Sequence, residues 1–255
     1  MVNKEKNKKE KNISKKENKP KKIEKTEKKE VPTKDKKNIL LSIQHASYRY
    51  SDAEVDEYAL KDVSYDFEKG KIYAIRGRSG TGKTTLLSLI SGLERCTEGQ
   101  IILDGQDLKT INLDKYRNSQ IGIVFQSYNL LPFMTASENI ILSMDASGGK
   151  YDNKKAKAIE LMAKVGLKDS YATRKVLRLS GGEQQRVAIA RSLSYDPKMI
   201  VADEPTGNLD KQTENEILEI FKNLAHKENK CVIIVTHSPN VCEAVDEVYD
   251  LKKVK

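Results

Sequence analysis

The spacing of apolar and polar positions changes character abruptly near Ile39. Before it almost nothing apolar recurs. After it, short apolar runs alternate with longer segments of helical period, and that alternation predicts the elements. Ile39–Gln44 and Ala59–Phe67 alternate in and out as a pair of antiparallel strands would, and Lys71–Arg76 reads as a strand running straight into a Gly-rich turn. Helix spacing follows over Lys83–Ser91, then a strand over Gln100–Leu103 and another over Ile121–Phe125. A long, mainly helical stretch occupies Ser137 to Leu177. Beyond it, Gly182–Leu193 is predicted helix, Met199–Ala202 strand, Lys211–His226 helix and Cys231–Val235 a β-branched strand. Strands alternating with helices argue for an α/β fold built on an open sheet, with an antiparallel β-subdomain in front and the helical stretch, about residues 127–178, inserted as a subdomain.

Charge separates the first 38 residues from the rest. Met1–Asn38 holds 16 Lys against 7 acidic residues and no aromatic residue, whereas residues 39–255 carry 30 charges of each sign. The whole-chain balance of +9 therefore belongs to the tail and describes no basic face on the domain. Such a tail buries too little apolar surface to offset the entropy of ordering, so residues 1–38 are expected to be disordered and residues 39–255 to form the folded domain. The N-terminal segment lacks the apolar core of a secretory signal, and no run of about 18 apolar residues offers a membrane span. Cys96, Cys231 and Cys242 are too few and too scattered for a disulfide framework or a zinc cluster.

Three constellations carry chemistry. Gly77-Arg78-Ser79-Gly80-Thr81-Gly82-Lys83-Thr84 fits the phosphate-loop pattern, and it sits between a predicted strand and a predicted helix as that pattern requires. Its glycines let several backbone N–H groups converge on phosphate oxygens, and the helix start adds partial positive charge. Lys83 would reach the terminal phosphates, and the Thr84 hydroxyl would hold Mg²⁺, with Thr85 beside it. Met199–Ala202 then delivers Asp203 and Glu204 to the end of a strand. Asp203 suits Mg²⁺, and Glu204 stands where water could be activated. Finally, Leu179-Ser180-Gly181-Gly182-Glu183-Gln184-Gln185-Arg186 makes a second candidate anion site at a helix start. Ser180 with Glu183 would also serve as an ordinary capping box.

That last run closely resembles the signature motif of ABC-type ATPases, and the likeness extends from Ile39 to about Leu251. The resemblance implies a P-loop NTPase of the ABC cassette type, with ATP and Mg²⁺ as ligands. It implies a Q-loop role for Gln126 at the metal and hinge, a D-loop over Gly207–Asp210, a switch role for His237, and adenine stacking on Tyr50, with Tyr48 as a competitor. Lys83, Gln126, Glu204 and His237 are the catalytic candidates; Gly77–Thr85, Tyr50 and Ser180–Gly182 are the nucleotide-binding ones; Thr84, Gln126 and Asp203 are the metal-binding ones. Phe125–Pro132 and Ala202–Asp210 look like the subgroup of macrolide exporters, lipoprotein-release machines and antimicrobial-peptide resistance pumps. Val176 departs from it, standing where relatives commonly have proline.

The resemblance further implies a head-to-tail dimer of two ATP-binding subunits, expected as a homodimer, and a separate membrane permease as partner. The expected location is peripheral, on the cytoplasmic face of the membrane. Nucleic acid is not an expected partner, although a soluble ABC ATPase working on nucleic acid or ribosomes is the competing reading. The Lys-rich tail could meet an anionic membrane surface or simply be solvated.

Overall fold

The computed structural model describes residues 38–50 and 57–254, so most of the predicted tail lies outside the described residues. An antiparallel sheet is built from β1 (Ile39–Tyr48), β2 (Leu60–Glu68), β4 (Glu98–Leu103) and the short β5 (Gln106–Asp107), in the order β2-β1-β4-β5. Strand β1 runs four residues beyond its predicted end. His45, at φ 49°, kinks the strand there and shifts its register against β2 between Ile43 and Ala46, which breaks the alternation that marks a strand in sequence.

The second sheet is parallel throughout, in the order β6-β7-β8-β3-β9, from β6 (Ile121–Val124), β7 (Met199–Asp203), β8 (Cys231–Thr236), β3 (Ile72–Arg76) and β9 (Glu247–Asp250). Every residue of β8 is buried, which is why it reads as an unbroken apolar run. Helix α1 (Lys83–Ile90) follows the phosphate loop, and α2 (Leu113–Arg117) precedes β6. Leu86, Ile90, Tyr116 and Val201 belong to the core between the two sheets.

The predicted helical stretch is not one helix. It divides into α3 (Ala136–Ser147) and α4 (Lys154–Lys164), followed by two 3-10 turns, Asp169–Tyr171 and Val176–Arg178. Gly148 ends α3 at φ 69°, and Gly166 at φ 76° turns the chain after α4. The hairpin closes on itself where Ala136 N–H donates to Arg174 O at 2.9 Å and Val176 N–H to Met134 O at 3.2 Å. Helix α5 (Gly181–Ser192) then carries Val187 to Ala190 into a core shared with Ile140 and Met144 of α3, Met162 of α4, and Phe221 of α6 (Lys211–His226). Val176 is buried in that core.

Strands β5 and β9 and helices α2 and α7 (Pro239–Ala244) escaped prediction. Each is six residues or fewer, too short for a period to register. Strand β9 exists because Tyr249 stacks on Tyr65 at 4.4 Å and on Tyr73 at 5.9 Å, while Asp250 pairs with Arg76.

Candidate functional site

Parallel register brings the chemistry together. Val124 lies opposite Ala202, Asp203 opposite Val235, and Arg76 opposite Thr236, so β6, β7, β8 and β3 end within two residues of one another. The candidates follow at once: Glu204 directly after β7, His237 directly after β8, Gly77 directly after β3, and Gln126 two residues after the end of β6. Loops leaving the carboxyl ends of parallel strands are where open α/β sheets bind ligands.

The phosphate loop is shaped by its glycines. Gly80 and Gly82 adopt φ of 74° and 89°, and a Cβ on Gly82 would lie 2.5 Å from Ala59 O. No side chain caps α1, which leaves its first N–H groups to the loop. Thr81 is buried and fastens the turn by donating from Oγ1 to Arg78 O at 2.9 Å. The Lys83 ammonium curls over the loop, donating to Gly77 O at 2.8 Å and Arg78 O at 3.1 Å. Ser79, Gly80, Gly82, Lys83, Thr84 and Tyr50 line a cavity of about 350 Å³.

The two tyrosines separate cleanly. Tyr48 is 8% exposed and lies in the core, whereas Tyr50 is 52% exposed and lines that cavity. Tyr50 Oη is 3.1 Å from Thr85 Oγ1, and the Tyr48 ring supports it edge-on at 5.2 Å. Of the two, Tyr50 is the exposed ring.

Asp203 ends β7 half-buried. Burial first, and the neighbouring Glu204 charge second, push its carboxyl above the usual range, while Lys83 draws it back down. A carboxylate so placed is stabilised by a cation. Among the described residues no cluster of three or more His, Cys, Asp or Glu could bind a metal by itself. The donor set of one carboxylate, the exposed Thr84 hydroxyl and the Gln126 amide fits a hard cation completed by phosphate and water oxygens, as Mg²⁺ prefers.

Glu204 occupies φ 42°, with its N–H donating to Val235 O at 2.9 Å. Its carboxylate accepts from Thr236 Oγ1 at 3.2 Å and meets His237 Nδ1 at 2.7 Å. A non-glycine residue in the left-handed region, over-determined by hydrogen bonds from the next strand, is the kind of strain that gathers at functional sites. Gln126 reaches the same place, since its Nε2 would lie 3.8 Å from a Cβ on Gly207.

Ser180 to Gly182 open α5 at a separate location. Ser180 Oγ accepts from Glu183 N–H, and Glu183 Oε2 accepts from Ser180 N–H at 2.8 Å, a complete capping box. Those bonds hold the Glu183 carboxyl below its usual range. A Cβ on Gly182 would come within 2.5 Å of Thr213 Cγ2, so the second glycine is demanded by the approach of α6. None of the three residues lines the cavity at the phosphate loop.

One residue and one cavity carry no signal in the sequence. Arg191, in the last turn of α5, donates to the backbone oxygens of Tyr128 and Asn129. Both accepting residues are left-handed, at φ 60° and 50°, just after Gln126. Nothing in sequence ties residue 191 to residue 128. A larger cavity of about 650 Å³ lies away from this chemistry, and its charges are largely paired among themselves, Lys230 with Asp196 and Lys164 with Glu228.

Comparison with known proteins places the chain. A family profile described as ABC transporter matches residues 60–207. The ABC transporter ATP-binding protein YclH of Bacillus subtilis is 48% identical over 207 residues, covering 81% of this chain and 91% of its own length. The lipoprotein-releasing system ATP-binding protein LolD of Francisella tularensis is 40% identical, covering 84% of this chain and 94% of its own. Among solved structures, the dimeric post-hydrolysis state of the ATP-binding cassette MJ0796, bound to ADP and phosphate, superposes with a TM-score of 0.76 at 36% identity, covering 84% of this chain and 94% of that one; that cassette is from Methanocaldococcus jannaschii. By sequence and by fold, this chain belongs to the ABC transporter family and is an ATP-hydrolysing cassette of that family.

Proposed function

We propose that two copies of this chain bind ATP with Mg²⁺ between them, head to tail, and that hydrolysis there moves a separate membrane permease. One observation carries the reading of the site: four loops from adjacent parallel strand ends meet around a strained Glu204 that Thr236 and His237 hold in place.

In this reading Lys83 exchanges the carbonyls of Gly77 and Arg78 for terminal phosphate oxygens. Backbone N–H groups of Gly80–Thr84 bind the phosphates, and Thr85 steadies Tyr50, which stacks on the base. Asp203, Thr84 and Gln126 would hold Mg²⁺, which would supply positive charge to offset that of the phosphates. Glu204 accepts a proton from water as the water oxygen bonds to the γ-phosphorus; the bond to the bridging oxygen breaks and ADP leaves with the electron pair. His237 keeps the Glu204 carboxylate aimed and meets charge on the γ-phosphoryl oxygens. Ser180–Gly182 would serve the partner copy's nucleotide, consistent with their absence from the lining of their own chain's cavity.

The permease is proposed to dock beside Gln126. There Leu131 and Phe133 are exposed, Phe133 at 80%, while Tyr128 and Leu130 pack inward on the core. An apolar pair displayed on an electrically balanced domain asks for a cover. The likeness to a lipoprotein-releasing ATPase favours a permease that exports or releases lipoproteins, peptides or drugs. No helix among the described residues is long and apolar enough to cross a membrane. The proposed location is therefore peripheral, on the cytoplasmic face, with the Lys-rich tail available to anionic lipid.

The experiment is Glu204→Gln with ATP and Mg²⁺. The variant keeps nucleotide, loses roughly a thousandfold in turnover, and elutes from a sizing column as a dimer. Monomer alone under those conditions overturns the sandwich.

A further inference from the structure

We propose that Glu214 is a positioning residue of the hydrolytic site, tying the loop that carries Glu204 to the loop that carries His237 through one carboxylate oxygen. The inference rests on Glu204 and His237 belonging to that site.

Glu214 lies in the first turn of α6, outside every motif recognised in the sequence. Its Oε1 accepts two hydroxyl hydrogen bonds, from Thr206 Oγ1 at 3.2 Å and from Ser238 Oγ at 3.0 Å. Thr206 is buried, two residues after Glu204. Ser238 directly follows His237 and caps α7. One oxygen of α6 therefore grips both loops.

The bonds continue into a closed ring. Ser238 N–H donates to Thr236 Oγ1 at 3.0 Å, and Thr236 Oγ1 donates to Glu204 Oε2 at 3.2 Å. From Glu204 the backbone runs through Pro205 to Thr206 and back to Glu214. Around that ring the Glu204 side chain is fixed from the His237 side and its backbone from the α6 side. Without the Glu214 link, both hydroxyls lose a carboxylate acceptor and the ring opens at both of its bonds to α6. A hydrogen bond to a charged acceptor is among the stronger kinds, and Thr206, being buried, cannot readily replace it with water.

The ring also gives α6 a part in the cycle. Asp210 caps α6, accepting from the N–H groups of Gln212 and Thr213, both at 3.0 Å, and it ends the Gly207–Asp210 loop. A change of hydrogen bonding at His237 on nucleotide binding would pass through Ser238 and Glu214 to the start of α6, within one helical turn of Asp210 and of Thr213, which abuts Gly182.

An acid in the first turn of a helix also has a plain structural role, through the helix dipole. The two roles give different kinetics. With the full chain, ATP and Mg²⁺, Glu214→Ala should lower kcat per folded molecule about tenfold, the equivalent of about 1.4 kcal/mol, and leave KM for ATP within about twofold, because Glu214 does not touch the nucleotide. Glu214→Gln keeps an oxygen able to accept both hydroxyls and should recover to within about threefold of the parent. Thr206→Val, which removes one hydroxyl at constant volume, should by itself cost about threefold and add nothing to Glu214→Ala. A dipole role predicts instead that Ala and Gln lower the melting temperature alike and leave kcat unchanged. That result, or simple additivity with Thr206→Val, overturns the proposal; if Glu214→Ala fails to fold, Thr206→Val decides, and an unchanged kcat for it overturns the proposal. Glu204→Gln serves as the control: if it retains turnover, the site assignment falls and this inference with it, whereas an inactive Glu204→Gln beside a fully active Glu214→Ala removes this inference alone.

Discussion

The phosphate loop and the signature loop are two Gly-rich turns that each open a helix, and they differ in what they do with the helix's first N–H groups. At α1 the N-cap is Gly82, left-handed, and no side chain takes a bond. At α5 the N-cap is Ser180, and a reciprocal capping box uses the N–H of Ser180 and of Glu183. The first turn is built to receive an anion within its own chain, beside Lys83 and Tyr50. The second is finished as a helix start and displays only its glycines and its serine. The contrast fits the proposed dimer, in which each chain would hold half of each site: the open loop would need little more than phosphate, and the capped loop would contribute when another molecule brings phosphate to it.

The sharpest way to break this comparison is at the open loop. Lys83→Ala should reduce ATP turnover by roughly a hundred- to thousandfold and weaken nucleotide binding, measured by phosphate release and by fluorescent-nucleotide titration. Robust turnover would mean that the loop does not hold the terminal phosphates. The next test uses both loops. A Ser180→Arg variant and the Lys83→Ala variant should each be inactive, yet their mixture should recover roughly a quarter of parental activity, because a two-fold dimer of the two variants keeps one intact composite site. No recovery on mixing would argue that each site lies within one chain.

Smaller effects probe the capped loop alone. Ser180→Ala removes the cap and should cost about 1 kcal/mol of stability, or roughly 2–4 °C in melting temperature for a domain of this size. Capping α1 has no counterpart, so no substitution at Gly82 can imitate the effect; a side chain there meets Ala59 O instead. The smallest effect concerns pH. The folded-state pKa of Glu183 lies below its ordinary 4.5, because Ser180 N–H donates to the ionised carboxylate. Its contribution to stability is therefore complete above about pH 4.5 and is lost as pH falls through the folded value. Glu183→Gln should flatten the acid limb of a melting-temperature profile by about a degree, with no change near neutrality. An unchanged acid limb would show that the box is too exposed to matter.

Legibility in sequence followed length and locality. Lys211–His226 was predicted to the residue, because sixteen residues of helical period and an Asp210 cap leave little choice. The long helical stretch was placed correctly but not divided, since Gly148 and Gly166 signal turns only once it is clear that the two helices fold back on each other. The motif residues were legible because phosphate chemistry restricts residue type and spacing together. Tyr48 and Tyr50 were not separable, because two positions along an extended chain place both side chains on the same face. The burial of Tyr48 and the exposure of Tyr50 are what separate them.

By itself, then, the sequence determined the periodic elements, the phosphate loop, the acidic strand end and the signature run. All of these are local: each is set by residues within one turn or strand of one another. The tertiary structure alone decided what stands beside what. Parallel pairing of β6, β7, β8 and β3 brought Gln126, Glu204, His237 and Gly77 to one edge, Arg191 to the backbone beyond Gln126, and Glu214 between Thr206 and Ser238. Those partners lie from 8 to more than 100 positions apart, and hydrogen bonds between them follow from sheet register and helix packing, which no local pattern of residues encodes.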